Sequence, residues 1–418
     1  MLYYSMTPNS LMTSPHSPLA FLCIATFVKG EAFMQTCKAL GHTVYLLTEQ
    51  RHKDKPWPHE AIDEIFYLPS ESNDSQNLDT MLLGLAHTMR RYHIDRVVAL
   101  DDFDVEKGAL VRETFRIPGM GQTTARFFRD KLAMRIRAQK ACIRIPRFSS
   151  LFNNDALTRF LQNSEAPWLL KPRSEASTTG IRKVHTLDEA WAVVHELGDK
   201  RHTYLIEEFK PGNVYHVDSL SFASKAVFSR VSEYLATPME VAHGGGIFRT
   251  RTMPPTGAET TDFLTINDAV MAAFGMRHSA SHSEFIRCDH DGELYFLETA
   301  CRVGGANIAE MVEAASGVNL WAEWAKLEIA AAYNEPYSPP ADTGQHAGLI
   351  ASLANEIHPD TTSFSDPEIV WRMHREHHIG FILKSEQPAR ILALLNTYMH
   401  QIQGSVHASM PVSAKSTN

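Results

Sequence analysis

The sequence predicts a mixed α/β and α+β protein, with a parallel-sheet domain first and antiparallel sheet after it. Three observations predict this. From Leu19 to about Gly121, short apolar runs alternate with amphipathic helical patterns, as strands joined by helical crossovers do. Between about residues 166 and 300, apolar runs instead face each other across short polar turns, the pattern of hairpins. The 418 residues are enough for two to four packed units with large cores.

Composition narrows the class. Hydrophobic residues make up 44% and charged residues 21%, as in soluble globular proteins. The net charge of −8 gives no global reason to bind nucleic acid or an anionic membrane. The five cysteines are odd in number, scattered and without CxxC spacing. A reduced, cytoplasmic compartment fits them better than a disulfide scaffold or a zinc site.

Residues 1–18, rich in Ser, Pro and Met, are expected to form a flexible tail. Leu19 to Val28 is too short to span a bilayer and lacks the flanks of a signal peptide, so it reads as a buried first strand. GEAFMQTCKALGH is a helix ending at Gly41, and TVYLLTE and EIFYLP are the next strands. LDTMLLGLAHTMRRYHI is an amphipathic helix, and DRVVALDD is a strand that ends in Asp101 and Asp102. These acids and Asp104 stand where a parallel sheet binds ligands, or else in a solvated loop. No GxGxxG follows the first strand, so a dinucleotide fingerprint is absent.

Residues 122–143 form one or two helices rich in Lys and Arg, Lys131 among them. In 166–185 the strand PWLLKP delivers Lys171, and a loop with Ser174, Ser177, Thr178, Thr179 and Gly180 follows. Small hydroxyl residues and backbone N–H groups can wrap phosphates beside a lysine, although a plain hairpin has the same pattern. YLIEEF ends in Glu207 and Glu208, placed either as readers of a base edge or as edge-strand acids. Residues 235–252 hold three consecutive glycines, expected as a mobile loop, and lead into Arg249 and Arg251 near the site.

The most informative stretch is 282–308, HSEFIRCDHDGELYFLETACRVGGANI. It reads as two strands joined by the turn Asp289 to Gly292. Their pairing brings Glu284 and Glu298 together, and two close carboxylates repel unless a cation sits between them. A hard divalent ion, Mg²⁺ or Mn²⁺, suits such oxygen ligands and also carries substrate phosphates. Arg302 is a planar cation suited to phosphate or carboxylate, and Gly304 and Gly305 let the backbone approach a ligand. An ordinary hairpin with surface acids is the competing reading. Beyond it come two helices, then strands in HAGLIASLA, EIVWRM and HIGFIL and a last helix, with a polar end after about Gly404.

The order of these stretches resembles the ATP-grasp superfamily, and within it the carboxylate–amine (carboxylate–thiol) ligases. RDKLAMR, LLKPRSEASTTG, YLIEEFKPG, YHVDS, HSEF and FLETACRVGGANI carry the resemblance, which covers roughly Arg126 to Tyr333. It implies an ATP-grasp fold with a Rossmann-like domain at 19–121, a first subdomain with the phosphate loop at 122–203 and a second with the metal and nucleotide site at 204–334. A small α+β segment at 335–404 and a flexible tail at 405–418 complete it. It implies that Lys131 and Lys171 contact ATP phosphates, that the loop from Ser174 through Ser177 and Thr178 to Gly180 closes over them, and that Glu207, with the backbone around Glu208 and Phe209, holds adenine. Glu284 and Glu298 would bind Mg²⁺ or Mn²⁺. Arg302 and Lys171 would be catalytic, and Arg249, Arg251, Gly304 and Gly305 would face substrate.

The implied reaction is amide formation through an acyl phosphate, with ATP, a small-molecule carboxylate and an amine consumed. No nucleic acid or membrane partner is expected, and a homodimer is common in the family. The alternatives are a carboxylase or purine-pathway type of ATP-grasp enzyme and a nucleotide-binding protein without ligase activity. His216 and His243 are candidate bases for the amine, each also a candidate structural histidine. Cys301 reads as packing. Three departures stand out: Ala300 where the family often has Asn, Val214 where an acid often holds the ribose, and fewer glycines in the phosphate loop.

Overall fold

Four N-terminal strands lie parallel in the order Glu64–Leu68, Thr43–Glu49, Ala20–Ile24, Arg96–Ala99. Each is a short apolar run. Helices Glu31–Ala39 and Asp74–Thr88 make two of the crossovers that parallel pairing requires, residues 50–63 make the third without an α-helix, and helix Val105–Phe115 follows the last strand. The order reverses beside Ala20–Ile24, so the crevice beyond its carboxyl end is the switch point of the sheet. The computed structural model describes residues 16–69, 74–176 and 178–409, and among them the strands form three sheets.

The second sheet is small and antiparallel, in the order Phe148–Ser150, Tyr204–Glu208, Trp168–Pro172, Arg182–Val184. Helices Asn154–Gln162 and Leu187–Leu197 belong to this unit, and Leu157, Leu161, Trp168, Leu170, Val194 and Ile206 make its core. The boundary expected between 203 and 204 falls inside it. Tyr204–Glu208 is bonded on both edges, an interior strand of the first subdomain rather than the start of the second.

The third sheet runs Leu294–Ala300, Ser279–Cys288, Gly212–Phe222, Lys225–Tyr234, Phe248–Thr252, His346–Ala354, His378–Ser385, Ile369–Arg372, with His407–Ala408 beside His346–Ala354. The segment expected to stand apart from 335 onward is thus built into the main sheet. Gly348 permits this: a Cβ there would lie 2.6 Å from Ile391 and 2.7 Å from Leu395, so helix Pro388–Ser405 sits directly on the strand. Strand alternation divides the sheet into two faces. One carries Tyr215, Val217, Val231, Phe285 and Phe296 against Phe263, Val270 and Phe274 of helix Ala258–Phe274. The other carries Val214, Leu220, Tyr234 and Ile286 and shares a core with helices Ile308–Ser316 and Leu320–Tyr333 and with the N-terminal domain.

Of the tails, 1–15 and 410–418 lie outside the described residues. The inner ends are held, against expectation. His16 stacks on Tyr333, whose hydroxyl donates to Ser17 O at 2.8 Å. His407 pairs with Ala354, and its ring bonds Ser352 at 2.8 Å and Gly245 O at 2.9 Å. No helix among the described residues is long and apolar enough to cross a membrane.

Candidate active site

A cavity of about 500 Å³ is walled by the small sheet and the large one. Lys131, Lys171, Thr178, Glu207, Glu208, Phe209, Glu284 and Glu298 line it, so half of the candidate site residues named from the sequence meet in one place. Leu169, Ile181, Val214, Ile286 and Leu297 give it an apolar stretch. Charge at one part and apolar surface at another suit a ligand with an anionic chain on a flat ring.

On the small-sheet wall, Asp130 caps helix Lys131–Lys140 by accepting from Leu132 N at 3.0 Å. One turn separates Lys131 from Arg135, which puts both on one face. Arg135 is buried and donates to Glu207 from Nε at 2.9 Å and Nη2 at 2.8 Å. Lys171 pairs with the other oxygen of Glu207. Burial alone would push the Glu207 carboxyl up, but Arg135 and Lys171 hold it below its ordinary value. The adenine role expected of this side chain does not fit, because two cations already occupy its oxygens. The N–H groups of Glu208 and Phe209 are also taken, by Arg147 O at 2.9 Å and Pro167 O at 3.0 Å. Lys183 Nζ lies 3.6 Å over the Phe209 ring and also lines the cavity.

On the large-sheet wall, Glu284 and Glu298 are directly opposite each other on neighbouring strands, with a register shift just beyond Glu284. Lys131 Nζ lies 2.7 Å from Glu298 and donates to Glu175 O at 2.8 Å. Glu284 has no Lys or Arg partner among the described residues. It accepts from the Tyr234 hydroxyl at 3.0 Å and lies 3.7 Å from His282 Nε2. Burial raises its pKa, and His282 with Tyr234 outweighs that and lowers it. A facing carboxylate pair with all-oxygen donors, of which only Glu298 meets a lysine among the described residues, fits a hard divalent cation.

Behind Glu284, His282 Nδ1 donates to Asp218 at 2.9 Å and His216 Nδ1 donates to the other oxygen at 2.6 Å. His216 Nε2 is bonded to Thr250 at 2.8 Å, so this buried ring has no nitrogen left to serve as a base. Gly304 closes the group: a Cβ there would lie 2.7 Å from Asp218 Oδ1. Gly304 thus faces the histidine–aspartate cluster, and Gly305 has open space beside it.

Several expected residues are elsewhere. Arg302 donates through Nε at 3.0 Å, and through Nη2, to Asp102, at the carboxyl end of the parallel sheet. Burial opposes the Asp102 charge, but Arg302 holds its carboxyl at about 2. Asp101 pairs with Lys29, and Asp104 accepts from Thr26 N at 2.6 Å; all three acids are buried and engaged rather than solvated or open to a ligand. Arg249 and Arg251 lie on the reverse face of their strand. Thr250 between them reaches His216, whereas Arg251 pairs with Glu233 at 2.7 Å and Arg249 donates to Asn396 at 2.7 Å. Ser174 and Gly180 flank the cavity without lining it, and Ser177 lies outside the described residues.

The expected mobile loop holds a helix, Pro238–Gly244, fixed by a capping box between Thr237 and Glu240. His243 on it donates to Thr178 O at 3.3 Å, joining this segment to the phosphate loop. Cys301 is buried and its thiol is pushed up to about 12, mainly by burial, so it is no nucleophile. Ala300 supplies no third oxygen to the acid pair.

No family model matches the sequence. The chain is 24% identical over 271 residues to an L-arginine-specific L-amino acid ligase of Bacillus subtilis. That alignment takes in 63% of this chain and 64% of the relative, just under two thirds of its length. Among solved structures, an L-amino acid ligase from Bacillus licheniformis superposes with a TM-score of 0.70 at 16% identity, over 94% of this chain and 98% of that one. The biotin carboxylase domain of Hydrogenobacter thermophilus 2-oxoglutarate carboxylase, solved with MgADP, ADP and bicarbonate, gives 0.67 at 15%, over 94% and 91%.

The chain has the ATP-grasp fold. In ATP-grasp terms the cavity lies in the cleft between the two subdomains. Arg135, Tyr234, Lys183 and the His282–Asp218 pair were missed in the sequence. For Arg135 a signal existed, its four-residue spacing from Lys131. Tyr234 carried none, because its partner lies 50 residues away; Asp218 stands in YHVDS, but its pairing with His282, 64 residues away, carried none.

Proposed function

We propose that this protein is an ATP-dependent ligase that joins a carboxylate to an amine, with amino acids as the substrate class. One observation carries the reading: a single cavity brings two lysines and two facing glutamates together beside an apolar stretch. The curated relative named as an amino acid ligase favours this chemistry over the carboxylase type.

In the reaction class proposed, a carboxylate oxygen takes the terminal phosphoryl group of ATP, giving an acyl phosphate and ADP. The amine nitrogen then forms a bond to the acyl carbon, phosphate leaves and the nitrogen loses a proton. Glu284 and Glu298 would hold Mg²⁺, which neutralises phosphate charge when bound. Lys131 turns from Glu298 to a phosphate, and Lys171, held in place by Glu207, presents a fixed charge. Such chemistry needs positioning and charge more than a nucleophile, in keeping with a cavity that no cysteine among the described residues lines. Leu169, Ile181, Val214 and Ile286 would flank the base. Arg302 positions the Asp102 loop against the reaction face, and a direct contact with the phosphoryl group requires that pair to open.

The test is phosphate release from ATP and Mg²⁺ across pairs of amino acids, with products identified by mass. Release that needs both amino acids, and a dipeptide mass, is expected. Release that needs bicarbonate instead would move the protein to the carboxylase type. ATP binding with no release under any pair would leave a nucleotide-binding protein, the reading that Ala300 and Val214 favour.

A further inference from the structure

A second cavity, of about 330 Å³, lies away from the nucleotide cleft. It is bounded by the strand Arg96–Ala99, helix Val105–Phe115, the loop around Gly119, the start of strand Ser279–Cys288 and helix Leu320–Tyr333. It shares no lining residue with the first cavity. Its size is at the lower end of what small-molecule sites occupy.

Its charge is lopsided. Arg96, Arg112 and Arg277 line it, with Glu328 as the one carboxylate. Arg112 is only 9% exposed and has no acid partner among the described residues. Its Nε donates to Met120 O at 2.8 Å and its Nη1 to Val97 O at 2.7 Å, and Nη2 donates to no described group. A buried guanidinium bonded only to carbonyls keeps its full charge, which a nearby anion would offset. The fold has made room for it: a Cβ at Gly119 would lie 2.5 Å from Arg112 Cδ, and one at Gly108 would lie 3.4 Å from Nη1. Glu328 does not balance the site. It accepts from Trp324 Nε1 at 3.1 Å, and burial raises its pKa although Arg112 and Arg96 pull the other way. Next to it, His278 is disfavoured as a cation by burial and by Arg277 and Arg96.

We propose that this cavity is a second ligand site, which takes a small oxyanion, a phosphate or a carboxylate, on the Arg96, Arg112 and Arg277 guanidiniums. Guanidinium groups bind both kinds of oxyanion in a forked geometry. Cys301, the residue before Arg302 in the chain, lines this cavity.

The experiment is titration calorimetry on the full-length protein, with inorganic phosphate in one arm and succinate in the other. Three proteins are compared: wild type, Arg96→Ala/Arg277→Ala, and Lys131→Gln as the control for the nucleotide cavity. Arg112 is left in place because its side chain is part of the packing. Wild type and Lys131→Gln are expected to bind one of the two probes with Kd below about 1 mM, and the double arginine variant at least roughly tenfold more weakly. The arm that binds names the source of the oxyanion. Absence of binding by wild type in both arms overturns the site. Binding that survives in the double arginine variant and falls in Lys131→Gln also overturns it, because the anion would then lie in the nucleotide cleft.

Discussion

The two walls of the cleft treat the same pairing, lysine with glutamate, in opposite ways. On the small-sheet wall Glu207 is 1% exposed and shared by Lys171 and Arg135. On the large-sheet wall the Glu298 side chain is 34% exposed, and among the described residues Lys131 is its one cation. A buried carboxylate with two cations is costly to disturb, since removing it strands charges away from water. A partly exposed pair is cheaper to exchange, because water and a ligand compete for the acid. The first pair therefore works as frame, and the second is the pair that nucleotide and metal would replace under the proposed function. The fold achieves the difference by burial: Glu207 sits on an interior strand, Glu298 on the last strand of its sheet.

The largest effect is expected from Glu207→Gln. It leaves Lys171 and Arg135 without their acid, and unfolding in urea should show a loss of about 3–5 kcal/mol. Adding Lys171→Met should recover part of this, as one stranded charge is removed. The acid limb gives an independent check. The folded state holds Glu207 below the 4.5 of an ordinary glutamate. Its contribution therefore stands above about pH 4.5 and is lost as the pH falls through the depressed value. The variant's stability should fall less steeply across that window than that of wild type. Equal slopes, with an unchanged urea midpoint, would show that the two walls are not different in kind.

Next comes Glu298→Ala. Amino-acid-dependent phosphate release should fall about 100-fold or more, in the range seen when one electrostatic contact to a transition state is lost. Stability should change by no more than about 1 kcal/mol, because the pair it breaks is partly exposed on the acid side and the lysine it leaves behind still donates to Glu175 O. A variant that keeps full turnover would remove Glu298 from the metal site. One that unfolds as Glu207→Gln does would place it in the frame.

What could be read in advance follows the same division. The parallel domain and the hairpin with Glu284 opposite Glu298 are local patterns, and apolar spacing with a turn is enough to place them. The fate of individual charges is not local. Arg302 meets Asp102 across 200 residues, and Arg135 meets Glu207 across 72. No spacing rule connects such partners, so the sequence left Glu207 free for adenine and Arg302 free for phosphate, where the structure shows both engaged. The C-terminal strands looked like a separate segment for a similar reason: their hydrogen-bonding neighbour, Phe248–Thr252, lies about 100 residues earlier in the chain.

Arg249 and Arg251 make the smallest and most specific case. Both were expected to face substrate, and a one-residue difference in parity decides against it. Thr250 bonds His216 and pairs with Tyr234, on the sheet face that lines the cleft, so its neighbours on the strand point away. Arg251→Ala should therefore leave the KM for either amino acid and the turnover rate within about twofold of wild type. Its stability cost, from the partly exposed pair with Glu233, should stay near 1 kcal/mol or below. Thr250→Val is the matching variant on the cleft side. It removes the hydroxyl that His216 needs, leaves a buried ring nitrogen without a partner, and should cost about 1–3 kcal/mol. If Arg251→Ala raised KM tenfold while Thr250→Val did nothing, the strand would have to present its other face to substrate, and the assignment of the cleft to this face of the large sheet would fall with it.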